Sequence, residues 1–210
     1  ACCVIMYKVM HWRRNDTMDI SALLIYVLIQ GITPGPSNFM ALYTSATLGI
    51  RGARGYLFGT MSGFFVKMLL CGLLNIALAS LVPGLVPILK WVGAAYLVYL
   101  AVSIFLSGKK EQPEKPMVAA TFMGGILLQA LNMKSWIMGL TLFSLYVVPY
   151  TTKMLDILFW SVITLAIMFS CTLIWAVFGN SIKNVYAKYR LPLSIGMSLL
   201  LLYSAVKAVL

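Results

Sequence analysis

From residue 20 to residue 50 the chain carries no charged side chain, a run long enough to cross a bilayer, yet its middle reads Pro34-Gly35-Pro36. A helix cannot run through that tripeptide undisturbed. Pro34 has no N–H for the carbonyl of Gln30, nor Pro36 for that of Ile32, and each ring crowds the carbonyl four residues back. Thr33 and Gly35, each preceding a proline, are pushed out of the α region, and Gly35 can adopt dihedrals its neighbours cannot. Two half-helices are expected, with unpaired carbonyls near Gln30 to Ile32 and unpaired N–H groups at Ser37 and Asn38.

Irregular backbone at that depth is tolerated only where protein buries it or where it lines a wet cavity. The carbonyls suit an ammonium and the N–H groups a carboxylate, so the break has the chemistry of a site for a small zwitterion. A kink used only for packing is the alternative.

The chain is 61% hydrophobic and 10% charged. Soluble domains carry about a quarter charged residues, so this is an integral membrane protein, read as one domain. The net charge of +11 does not imply nucleic acid, because the lysines and arginines sit mostly in short gaps between apolar segments. Anionic lipid and the positive-inside rule account for them there.

Cys2, Cys3, Cys71 and Cys171 form no metal or disulfide spacing, and the single histidine, His11, lies outside the apolar segments. No metal site, cofactor or catalytic residue is therefore expected. No GK[ST] phosphate loop is present either, so transport would be driven by an ion gradient or run downhill.

Apolar segments are predicted over residues 20–48, 55–81, 89–106, 118–147, 157–179 and 191–206. Residues 1–17 read as an N-terminal extension outside the domain, and residues 18–210 as the transmembrane domain. Residues 82–87 read as a turn, residues 107–117 as a polar loop, and residues 183–190 as a basic loop. The predicted fold is all-α, with six transmembrane helices as two inverted three-helix repeats, 18–106 and 118–208. The first and fourth helices are interrupted, the fourth by Gln129, Asn132, Lys134 and Ser135.

Gly55, Gly59 and Gly63 share one helix face and allow close helix packing, expected against the first segment. The loops joining segments one to two, three to four and five to six hold eight lysines and arginines. The other side holds three, or six with the extension, which places both termini away from the cytoplasm.

Lys67 and Lys134 fall deep inside predicted segments, while Asp16, Asp19, Glu111, Glu114 and Asp156 lie at segment ends or outside. An intramembrane lysine is expensive unless paired or hydrated. Either these lysines face water, or they are uncharged, or a substrate supplies the anion. For Lys134 the reading is a wet cavity that admits a substrate carboxylate; the alternative is a lysine satisfied by helix-end carbonyls where segment four breaks. Lys67 is a second candidate intramembrane charge, or else reaches an interface through helix tilt.

Thr33-Pro-Gly-Pro-Ser-Asn38, Gly49-x-Arg51-Gly-x-x-Gly55 with Gly59 and Gly63, Trp91-x-Gly93-Ala-Ala-Tyr96-Leu97, and Gln129-Ala-Leu-Asn132-Met-Lys134 occur in that order. Together they resemble the LysE/RhtB family of bacterial amino-acid exporters, over nearly all of residues 18–208. The Gln129-x-x-Asn132-x-Lys134 form, with Gly139-Leu-Thr141 and Val148-Pro149, looks most like the cysteine and O-acetylserine exporters.

The resemblance implies a multi-spanning inner-membrane secondary transporter that exports small neutral amino acids or derivatives by alternating access. Its expected partners are a small amino-acid substrate, protons as coupling ion, membrane lipids and a second copy of the chain in a homodimer. The translocation path would use Gln30, Thr33, Pro34, Gly35, Pro36, Ser37, Asn38, Gln129, Asn132 and Lys134. Many family members have aspartate where this chain has Ser37, and proline where it has Met133, so the proton-carrying residue and the second break depart from the common pattern. A passive channel for small polar solutes and a non-transporting scaffold subunit are the alternatives.

Overall fold

The computed structural model describes residues 18–77, 82–109 and 120–209. The extension at 1–17 and residues 110–117 of the expected loop lie outside them. The elements are α1 (Ile20–Ile32), α2 (Pro36–Gly52), α3 (Arg54–Ala77), α4 (Val82–Lys109), α5 (Phe122–Leu131), α6 (Met133–Leu142), a π-helical turn (Phe143–Val147), α7 (Met154–Ser181), α8 (Lys183–Lys188) and α9 (Arg190–Val209).

α1 and α2 are bent by 47° across the Pro-Gly-Pro stretch, and α5 is bent by 62° against α6 and its π-helical continuation. Of the described helices, α3 (as Arg54–Ile76) and α7 are each long and apolar enough to cross a membrane, and counting each bent pair as one span gives up to four. Ala94–Leu106 and Leu191–Val206 are shorter apolar stretches. Large apolar side chains cover the outside, among them Ile29, Leu155 and Ile174, each at least 60% exposed. Such a surface suits hydrocarbon rather than water.

Two expected loops are helical, and α4 runs on to Lys109, so it takes in the first three residues of the expected loop 107–117. α4 begins at Val82, so residues 82–87 are not a turn. Pro83 falls in the first helical turn, where a missing N–H costs nothing. The basic stretch after α7 forms α8 and the start of α9.

The glycine face of α3 meets α5 and not the first segment. A Cβ on Gly59 would strike the Phe122 carbonyl, and one on Gly125 would lie 2.6 Å from the amide nitrogen of Thr60. Only backbone-to-backbone contact leaves so little room. α2 and α7 cross in the same manner, with Gly179 against the carbonyl of Leu42. α4 and α9 pack along each other.

Gly49 has φ +72°, so the regular part of α2 ends there, in a conformation other residues avoid. The freed N–H of Ile50 donates to Asn180 Oδ1 at 3.0 Å, which ties the end of α2 to the end of α7.

Two apolar cores result. One gathers Tyr43, Tyr56, Leu100, Leu128, Ala176 and Leu201; the other gathers Leu23, Met68, Met138, Phe143 and Ile157. Along each of α3 and α7, and across each bent pair, one core is left and the other entered within a few turns. The breaks and the polar residues beside them fall between the two.

Candidate substrate site

At the first break α1 stops at Ile32 and α2 starts at Pro36, with Gly35 fully extended at φ −165° and ψ 173°. The carbonyl of Gln30, deprived of a partner by Pro34, accepts from Lys134 Nζ at 2.9 Å. Thr33 O accepts from the same ammonium at 2.8 Å. Gly31 O accepts from Asn38 Nδ2 at 2.9 Å. The carbonyls of Gln30, Gly31 and Thr33 are thus satisfied by side chains from α2 and α6.

Asn38 is held in turn by Thr172 of α7, whose hydroxyl donates to Asn38 Oδ1 at 3.2 Å. Ser37 accepts twice: its carbonyl from the Tyr56 hydroxyl at 2.9 Å, its own hydroxyl from Asn132 Nδ2 at 2.9 Å. Ser37 and Asn38 are both buried.

The second break consists of Asn132 alone, with φ −78° and ψ 97°. The same kinds of bond recur. The Gln129 carbonyl accepts from Lys67 Nζ. Ala130 O accepts from Trp136 Nε1 at 2.7 Å, and Asn132 O from Lys67 Nζ at 3.4 Å. Lys67 also donates to Ser135 Oγ at 2.8 Å and stands 5.2 Å from the centre of the Trp136 ring. Ser135 passes its own proton toward Gln129 Oε1 at 3.0 Å.

Lys67 is 2% exposed, so it does not reach an interface through helix tilt. It caps the α5 end from α3. Nor is Lys134 satisfied at the break in its own segment: it crosses to the α1 end instead.

The two breaks face one cavity of about 40 Å³, walled further by Thr60, Phe64, Met168 and Thr172. A water needs roughly 10–15 Å³ measured this way, so the cavity admits a few waters and no amino acid. A second cavity of about 320 Å³ lies on the other side of Gly35 and Lys134, against Leu97 of α4 and Tyr203 of α9. Gln30, Gly35, Asn132, Lys134 and Met138 line both. Among the described residues the buried Oδ1 atom of Asn132 has no hydrogen-bond partner, an acceptor left open in the wall.

Of the residues expected in the path, Gln30, Gly35, Ser37, Asn38, Gln129, Asn132 and Lys134 line the smaller cavity, and Pro34 and Pro36 the larger. Thr33 lines neither and contributes its carbonyl. Gly55, Gly59 and Gly63 lie behind, in the α3–α5 contact. Tyr56, Trp136 and Thr172 were not foreseen. Only a polar letter inside an apolar segment marked Thr172, and many such residues here bond their own helix.

A broken-helix pair closing on a cavity with polar residues in its wall, between two apolar cores, is transporter architecture. The description LysE type translocator matches residues 28–210. The chain belongs to the LysE family. Its LysE-family relatives include the cysteine/O-acetylserine efflux protein of Escherichia coli strain K12, 35% identical over 190 residues, which is 90% of this chain and 96% of that protein. The protein of the same name from E. coli O157:H7 is 36% identical with the same coverage, and that from Shigella flexneri serotype 5b is 35% identical. No solved structure matches. As a LysE-family member the protein is a multi-pass transporter of the bacterial inner membrane, not an enzyme, and carries small amino-acid-like solutes by secondary transport.

Proposed function

We propose that the protein exports small neutral amino acids or derivatives, of the cysteine and O-acetylserine kind, from the cytoplasm by alternating access in exchange with protons. The observation that carries this reading is the convergence of two broken helices on one cavity, with Ser37, Asn38, Gln129, Asn132 and Lys134 in its wall. Opened, that cavity would offer helix-end carbonyls to an ammonium, and Asn132 Oδ1 and the Ser37 hydroxyl to other polar groups of a small solute.

The reading takes the chain as two inverted repeats, with α4 and α9 supplying the third span of each. Support comes from the breaks themselves. In the first, the carbonyls of residues 30, 31 and 33 are bound by a lysine, by a side chain of the following half-helix, and by the lysine again. In the second, those of residues 129, 130 and 132 are bound in the same sequence and at the same spacing. The substrate class is that named for the relatives, which match over nearly their full length.

Purified protein in liposomes preloaded with labelled O-acetylserine or cysteine tests the proposal. Saturable efflux, counter-flow and acceleration by an imposed pH gradient are expected. Flux linear in concentration would indicate a pore, and flux equal to empty liposomes a scaffold. Efflux indifferent to the pH gradient would remove the proton exchange alone.

A further inference from the structure

The two lysines that cap the breaks are not held alike. Lys67 is enclosed, with two carbonyls, a hydroxyl and the face of an indole around its ammonium. Lys134 is half-buried and has two carbonyls, Gln30 O and Thr33 O. It is also the capping lysine that lines both cavities. Its stem crosses Gly35, where a Cβ would come within 3.1 Å of Cδ and 3.4 Å of Nζ. The absent side chain is what leaves the lysine a path over the break.

We propose that the Gln30 and Thr33 carbonyls are the receptor for the substrate's α-ammonium, and that Lys134 occupies them in the resting molecule as a tethered substitute. Substrate loads by exchange: its ammonium takes the lysine's seat, and the released lysine meets the carboxylate of the same substrate. This rests on the amino-acid export reading and names how that site selects its cargo.

The chemistry favours such an exchange. A lysine ammonium and an α-ammonium carry the same charge and three N–H donors each, so the carbonyls at the negative end of α1 accept either. Among the described residues the carboxylates are Asp19 and Asp156, at the outer ends of α1 and α7, where they cannot receive a displaced lysine. An amine without a carboxylate would leave two cations side by side with no anion between them. A carboxylate without an amine would not free the seat. Only a molecule with both groups on one carbon, as in an α-amino acid, completes the exchange without stranding a charge.

The test has two arms. In the first, Lys134→Ala empties the seat, and ethylammonium is titrated against the melting temperature of the purified protein in detergent, with tetramethylammonium, which has no N–H, as control. Ethylammonium should raise the variant's melting point with an apparent affinity at least about tenfold higher than for wild type, the scale of a lost charge-assisted pair, and tetramethylammonium should do neither. Equal response of variant and wild type overturns the seat.

In the second arm, which needs no folded Lys134→Ala, wild-type protein carrying 13Cε-lysine is examined by NMR in nanodiscs, the Lys134 signal being the one lost in Lys134→Arg. O-acetylserine should move Lys134 and leave Lys67 in place, while ethylammonium, which brings no carboxylate, and N-acetylserine, which brings no free amine, should move neither. A Lys134 signal unmoved by O-acetylserine, or moved as far by N-acetylserine, overturns the exchange. Efflux of amino acids with Lys134 stationary would leave export standing and remove the exchange; a Lys134 response to O-acetylserine without efflux would do the reverse.

Discussion

The first break is written into the covalent chain: two prolines remove N–H groups, and α1 ends at Ile32 whatever surrounds it. At the second, every residue could continue a helix, and asparagine disfavours one by only about 0.5 kcal/mol against alanine. α5 nevertheless stops at Leu131, with its carbonyls turned to Lys67, Trp136 and, through Lys67, Ser135. One break is set by local sterics and then capped, whereas the other is made by its caps. Similar geometry therefore rests on different foundations, and the two should fail differently.

Lys67→Met gives the largest expected effect. Without the ammonium the α5 end loses the partner that holds it open, and a buried carbonyl left short of hydrogen bonds costs about 1–3 kcal/mol. A fall in melting temperature of that size, with loss of transport, is expected in detergent and in liposomes. An unchanged melting curve would mean that Asn132 breaks the helix unaided.

Lys134→Met comes next. The prolines keep the first break bent, so the melting point should move by less than about 1 kcal/mol equivalent, because Lys134 is half-buried and its carbonyls can be hydrated. Saturable export should nevertheless be lost, and wild-type efflux from the variant would contradict the role given to this side chain.

The smallest effect is a rescue. Met133 occupies the first position of α6, where an N–H has no helical partner, and Asn132 before it already has the extended backbone that a following proline requires. Met133→Pro would write the second break into the chain as the first is. Added to Lys67→Met, it should recover about 0.4–1 kcal/mol of stability, the usual gain from a compatible proline. Further destabilisation in melting experiments would show that buried Met133 matters more for packing than for backbone.

Much of the first break was legible, because proline acts on its own neighbours. The polar cluster from Gln129 to Ser135 announced a disturbance in the fourth segment but not its geometry. The caps were illegible for a definite reason: Lys67 and Lys134 bind main-chain carbonyls, which every residue possesses and no letter distinguishes. The lysines could be recognised as anomalous, while their partners, 62 and 104 positions away, could not. Gly55, Gly59 and Gly63 declared close packing correctly, yet the identity of the facing helix depended on Gly125 and on the bare backbone at Phe122. Val82-Pro83 looked like punctuation because proline serves equally as a turn and as the opening of a helix.

Where Gly59 meets Phe122 and Gly179 meets Leu42, main chain rests on main chain, and such seams cannot slide without collision. They weld α3 to α5 and α2 to α7, making two stiff halves. Lys67, on α3, fastens to the α5 end and to the start of α6 that follows it, so it can stay fast through a working cycle. The bonds from Asn132 and Tyr56 to Ser37 stitch one half to the other, and the reach of Lys134 to α1 spans the same cleft. A turnover that swings the halves apart has to part those threads, each ending within a few residues of Gly35.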